Sequence, residues 1–196
     1  MKLYYHPISP FVRKVLIVAE ENGLGGRIES VMTDTLDEAL RAINPLCKIP
    51  ALTLSDGTVL YDSRVICDYL DAEGTGAMVP ADGPGRLMAK RLEALGDGVA
   101  DAILRIVMEN RRPEADRHPD VIERQRRAVV AGLAEAERLI GSGVFTVGEA
   151  SIACAIGYLE MRLPNLAWRE DHPALEAWYD DILRRPSVAK TQPVTV

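Results

Sequence analysis

The stretch KLYYHPISPFVRKVLIVAEENG, Lys2–Gly23, decides how the chain begins to fold. Lys2 to His6 has the apolar and aromatic character of a short strand, and His6-Pro7-Ile8-Ser9-Pro10 interrupts it. Phe11, Val12, Val15, Leu16, Val18 and Ala19 then recur at helical spacing until Gly23. Ser9 is placed to cap this helix, with Pro10 at its first position. The hydroxyl accepts one of the orphan amide protons, and proline has none to leave unpaired.

Outward from this unit, Ile28 to Met32 suits a second strand and Leu36 to Ala42 a weaker helix, ended by the breaker Asn44-Pro45. Ala51 to Leu54 and Thr58 to Tyr61 flank Ser55-Asp56-Gly57, a spacer short enough to make them an antiparallel hairpin. Asp62-Ser63 opens a third helix, with Val65, Ile66, Tyr69 and Leu70 on its apolar face. The order β-α-β-α-β-β-α in about 70 residues combines a crossover pair with a hairpin pair, which predicts an α/β sandwich.

From Ala72 to Gly85 the chain carries four glycines and two prolines, and this stretch divides it into residues 1–75, a linker 76–85 and residues 86–196. Everything beyond is helical in pattern. Leu87, Leu92, Leu95, Val99, Ile103, Ile106 and Val107 form a stripe from Arg86 to Asn110, stopped by Pro113. Pro119 to Ile140 repeats the pattern. Thr146-Val147-Gly148-Glu149 fits a capping box ahead of Ile152 to Leu159, expected to be a central buried helix. A last helix spans Pro173 to Leu183, ahead of Pro186, with Leu175 and Trp178 facing inward.

Composition narrows the function classes. A chain of 196 residues with 47% hydrophobic content can bury a full core. Its 23 basic and 29 acidic residues give a net charge of -6 without a basic run, so nucleic acid is not an expected partner. No apolar run approaches the ~20 residues that span a bilayer and no leader is evident, so no membrane partner and a cytoplasmic location are expected. Cys47, Cys67 and Cys154 are odd in number and dispersed, which predicts free thiols in a reducing compartment. His6, His118 and His172 lack ligand spacing, and no metal is expected.

Five segments, taken together in order and spacing, resemble the bacterial cytosolic glutathione S-transferases over nearly the whole chain. They are Tyr4 to Lys14, Asn44-Pro45-Leu46-Cys47-Lys48-Ile49-Pro50, Tyr61-Asp62-Ser63, the capped helix after Thr146, and Trp178-Tyr179 with Arg185-Pro186-Ser187. The resemblance implies an α/β thioredoxin-like N-terminal domain that holds glutathione, plus an all-α C-terminal helical bundle that shapes the pocket for a second substrate. It also implies a homodimer and a role in detoxification, with glutathione as co-substrate, a small electrophile as its partner and no metal.

The chemistry to be explained is ionisation of a thiol whose ordinary pKa is ~8.5, since the thiolate is the nucleophile. By the resemblance Ser9 is the catalytic residue, donating to that thiolate at the positive end of the first helix. Simple capping is the competing role for Ser9. The resemblance also makes Ile49-Pro50 a cis-proline site, with the Ile49 main chain meeting the cysteinyl part of glutathione in strand-like fashion. Asp62 and Ser63 receive its γ-glutamyl end, again against a reading of mere capping. Lys48 pairs with a glutathione carboxylate, and Phe11 lies at the border of the second pocket or in the core.

Met108, Arg111 and Arg112 fall where the family's second-substrate pocket lies, and their alternative is a solvated surface. Cys47 replaces the glycine common among relatives and is read as a small loop residue. Two other functions use the same fold: a glutathione-binding regulatory module without catalysis, and a glutathione-dependent isomerase or reductase.

Overall fold

A computed structural model of the chain describes residues 1–76, 78–141 and 143–193, so Ala77 of the expected linker lies outside them. The first half contains β1 (Lys2–Tyr5), α1 (Pro10–Glu21), β2 (Glu29–Met32), α2 (Glu38–Ile43), β3 (Ala51–Thr53), β4 (Val59–Leu60) and α3 (Ser63–Glu73). The second half contains α4 (Gly83–Asn110), α5 (Pro119–Leu139), α6 (Val147–Arg162), α7 (Pro173–Ile182) and α8 (Pro186–Lys190). No described helix is long and apolar enough to cross a membrane.

The sheet runs β2-β1-β3-β4. β1 and β2 are parallel, joined by the α1 crossover, while β3 pairs antiparallel with both β1 and β4. The expected crossover and hairpin pairs are both present, and a thioredoxin-like α/β half is followed by a helical half. Register then decides where the loops meet. Tyr4 lies opposite Ala51 and Leu60 opposite Leu52. The exit of β1, the entry of β3 and the exit of β4 therefore share one end of the sheet.

Two hydrophobic clusters form the core. Leu3, Val15, Leu52 and Ile66 belong to the first, and Ile103, Leu133, Ile156 and Leu175 to the second. Burying each such side chain contributes ~1.5–3 kcal/mol. α6 belongs to both clusters, giving Val147, Ala150 and Cys154 to one and Ala153, Ile156 and Leu159 to the other. It is buried on every face from Val147 to Leu159, and the Thr146–Glu149 capping box closes its first turn.

Two details depart from the sequence pattern. α4 starts at Gly83 rather than Arg86, because Pro84 in a first turn has no amide proton to lose and so does not break a helix there. On α7, Leu175 is buried as expected, but Tyr179 at 1% exposure is the buried aromatic while Trp178 is only half-buried. The residue next in sequence sits ~100° around the helix, so Trp178 packs at the margin of the cluster whose interior Tyr179 enters.

Candidate functional site

The shared end of the sheet collects the starts of α1 and α3. Ser9 caps α1: its Oγ accepts the Val12 N–H at 3.3 Å. A hydroxyl has two acceptor lone pairs and one donor, so this cap leaves the Ser9 proton free to donate outward. Asp62 caps α3, with Oδ1 accepting the Arg64 N–H at 3.0 Å, and Ser63 begins that helix. Ser63 is 3% exposed, and its hydroxyl has no partner among the described residues. Both helices present partial positive charge and unpaired amides at this end.

Between them stands the segment before β3. The Ile49–Pro50 bond is cis, as is the Tyr61–Asp62 bond. Asn44 fastens the segment by donating from Nδ2 to the Lys48 carbonyl at 2.8 Å. The Ile49 amide and carbonyl are claimed by no other group among the described residues. Lys48 is exposed at the same edge and pairs with no carboxylate among the described residues. Cys47 has φ 51, a left-handed conformation that glycine adopts without strain. Its Sγ donates to the Thr35 carbonyl at 3.3 Å.

The remaining thiols are buried. Burial pushes Cys154 up to about 11, against the pull of Arg13 and Lys14, and burial likewise raises Cys67. Neither is a thiolate at neutral pH.

Sequence reasoning missed the charged group behind Ser63. Lys14 of α1, 1% exposed, donates to Glu93 at 2.9 Å and to Asp97 at 2.8 and 2.9 Å, both on α4. Asp97 also accepts from Arg64 Nε at 3.0 Å and from Ser151 Oγ of α6 at 2.8 Å. Arg64 is thereby held one residue beyond Ser63. A turn further along α4, burial raises the Asp101 pKa, while Arg105, Lys48 and Arg64 draw it back. The only hint in the sequence is a polar Glu93 and Asp97 four apart inside an apolar helix.

In the helical half, Met108 is half-exposed at the last turn of α4, and Arg111 caps that helix. Among the described residues the Arg111 guanidinium hydrogen-bonds only the Met108 sulfur, at 3.9 Å. Arg112 is engaged elsewhere, with Glu109 at 3.5 Å and the Asp116 carbonyl at 2.9 Å. Phe11 packs against the helical cluster from α1. Ser9, Arg13, Tyr158 and Met161 line one crevice between α1 and α6.

The same organisation recurs in known proteins. Residues 8–73 match the glutathione S-transferase N-terminal domain model and residues 119–181 the C-terminal domain model. The uncharacterized GST-like protein YibF of Escherichia coli (strain K12) is 35% identical, with 98% of each chain covered. A glutathione transferase family member from Pseudomonas fluorescens Pf-5, solved with bound glutathione, is 40% identical with a TM-score of 0.94 over 99% of both chains. Its structure with S-(propanoic acid)-glutathione gives 0.90 over 100% of both. With both halves matched in order along almost the full length, the chain belongs to the glutathione S-transferase family.

Proposed function

We propose that this protein binds glutathione at the shared end of the sheet, holds its sulfur as the thiolate and transfers it to a small electrophile. Ser9 is the catalytic donor to the sulfur. The Ile49 main chain, beside Pro50, receives the cysteinyl unit, Ser63 and Asp62 the γ-glutamyl end, and Lys48 a carboxylate. The observation that carries this is the set of unclaimed polar groups on three adjacent loops: the Ser9 proton, the Ile49 amide and carbonyl, and the Ser63 hydroxyl. A tripeptide thiolate offers complementary partners for each. Glutathione in the relative from Pseudomonas fluorescens supports the same reading.

Ionisation needs no metal in this scheme. Lowering a thiol pKa by ~2 units takes ~2.7 kcal/mol. A hydrogen bond to the charged form supplies ~1.5–3 kcal/mol, and the end of α1 adds ~0.3–1. The protein is further proposed to act in the cytoplasm as a homodimer, whose second copy covers Val65 of α3 and Leu87 of α4, exposed at 48% and 73%. Met108 and Arg111 face the second substrate. Arg112, tied to its own turn, does not.

Calorimetry with glutathione, together with turnover of a generic aryl halide, tests the proposal. Binding plus turnover is expected. Binding without turnover would make the protein a glutathione-binding module, and no uptake by folded protein would remove the assignment. Sedimentation tests the dimer.

A further inference from the structure

The crevice that holds Ser9 is closed on its far side by Tyr158 and Met161 of α6 and floored by Arg13 of α1. No carboxylate lines it among the described residues. Arg13 is 3% exposed. Its Nη2 donates to the Val188 carbonyl at 3.3 Å, but its Nε and Nη1 are buried with no acceptor among the described residues. Arg162, one turn beyond Tyr158, places its guanidinium 5.8 Å from the Tyr158 ring centre, and its Nε is also buried without an acceptor among the described residues. Arg111 stands at the C-terminal end of α4. Burial raises the Tyr158 pKa, with Arg162 first and then Arg111 drawing it back.

None of these three arginines forms an ion pair among the described residues. Neighbouring arginines do find partners: Arg112 holds Glu109, and Arg169 holds Glu160, Glu176 and Asp180. A buried guanidinium N–H without an acceptor is costly, so a cluster of them beside a phenol and an open crevice calls for an anion from outside the chain.

We propose that Tyr158, Arg162 and Arg111 form an anion subsite for the second substrate, so that the preferred electrophile carries a carboxylate a few bonds from the carbon under attack. The inference rests on the glutathione-transfer function proposed above. In the step itself the sulfur lone pair forms the carbon–sulfur bond as the leaving group departs with its own electron pair. The thiol proton has already gone to solvent, and the carboxylate is held without reacting. Arg13 acts through the field beneath the crevice and need not touch the substrate.

Two product-like probes of equal size separate charge from shape: S-(2-carboxyethyl)glutathione and its neutral amide, S-(2-carbamoylethyl)glutathione. Calorimetry on the full-length protein is expected to show the carboxylate binding about tenfold more tightly than the amide, the effect of one hydrogen bond to a charged group. Arg162→Gln and Arg111→Gln should each reduce that preference to about threefold or less, while affinity for glutathione itself stays unchanged. Arg111 is exposed at a helix end, so its variant keeps the test open should Arg162→Gln misfold.

Equal affinity of the wild-type protein for the two probes, with glutathione still bound, overturns the subsite alone. A preference that survives both substitutions overturns its assignment to these arginines. Failure of all three compounds to bind folded protein overturns the glutathione reading and the subsite with it.

Discussion

Ser9 serves two purposes with opposite ends of one hydroxyl, its lone pair to Val12 and its proton to a ligand. Ser9→Ala removes both. The cap is worth ~1 kcal/mol of stability. The lost donor, worth ~1.5–3 kcal/mol, should cut turnover at neutral pH by ~10–100-fold and raise the thiol pKa of bound glutathione, with its affinity changed little. Thiolate absorbance against pH, read beside steady-state rates, checks this. Ser9→Gly isolates the chemistry, because glycine keeps most of the capping energy. Cys47 gives a second test at this scale. Its left-handed backbone makes Cys47→Gly neutral to stabilising by up to ~1 kcal/mol, whereas a β-branched valine there should lose ~1 kcal/mol or more in thermal unfolding. The Ser9 cap was legible because capping depends on neighbours a few residues away. The engagement of Arg64 by Asp97, 33 residues on, was not.

At the scale of elements, the tightest joint is where α4 crosses α6. A Cβ at Gly96 would stand 2.6 Å from the Ser151 carbonyl carbon and 2.7 Å from the Ile152 nitrogen, while one at Gly98 meets nothing within 4 Å. Two glycines on one helix therefore predict opposite outcomes. Gly96→Ala forces backbone apart and should cost about 1–3 kcal/mol. Gly98→Ala should stabilise by ~0.5–1 kcal/mol through helix propensity and a less flexible unfolded chain. Urea unfolding of both variants decides it, and equal effects would refute the close crossing. α6 was readable in advance from its capping box and its apolar run. α8 was not, since its five residues carry no periodicity of their own. It is held to α1 by Arg185, whose Nε and Nη2 each donate to Glu21 at 2.6 Å, by Ser187 on the same carboxylate, and by Lys190 on Glu20 at 2.7 Å.

Across the whole molecule, the two halves meet through a buried ionic cluster built on Lys14, Glu93 and Asp97, joined by Arg64, Lys90 and Ser151. Burial alone pulls the Lys14 ammonium down, but the Asp97 and Glu93 carboxylates against it outweigh that pull, and the group titrates above its ordinary value. A lysine whose folded pKa exceeds its unfolded one contributes fully below the unfolded value, about 10.4, and loses that contribution as pH rises through the folded value. Lys14→Met strands two buried carboxylates and should destabilise by ~3–5 kcal/mol at neutral pH. The gap between wild type and variant should narrow only in strongly alkaline solution, and chemical denaturation across pH measures it. Constancy of that gap above pH ~11 would contradict the assigned shift. By itself the sequence determined the order of elements, the caps, the breakers and the family pattern, because each depends on residues near one another in the chain. Tertiary structure alone decided that Lys14 pairs with Glu93 and Asp97, that Tyr179 rather than Trp178 is enclosed, and that Arg162 lies over the Tyr158 ring. Such pairings follow from how helices cross and how charges escape unpaired burial, and neither is written in local spacing.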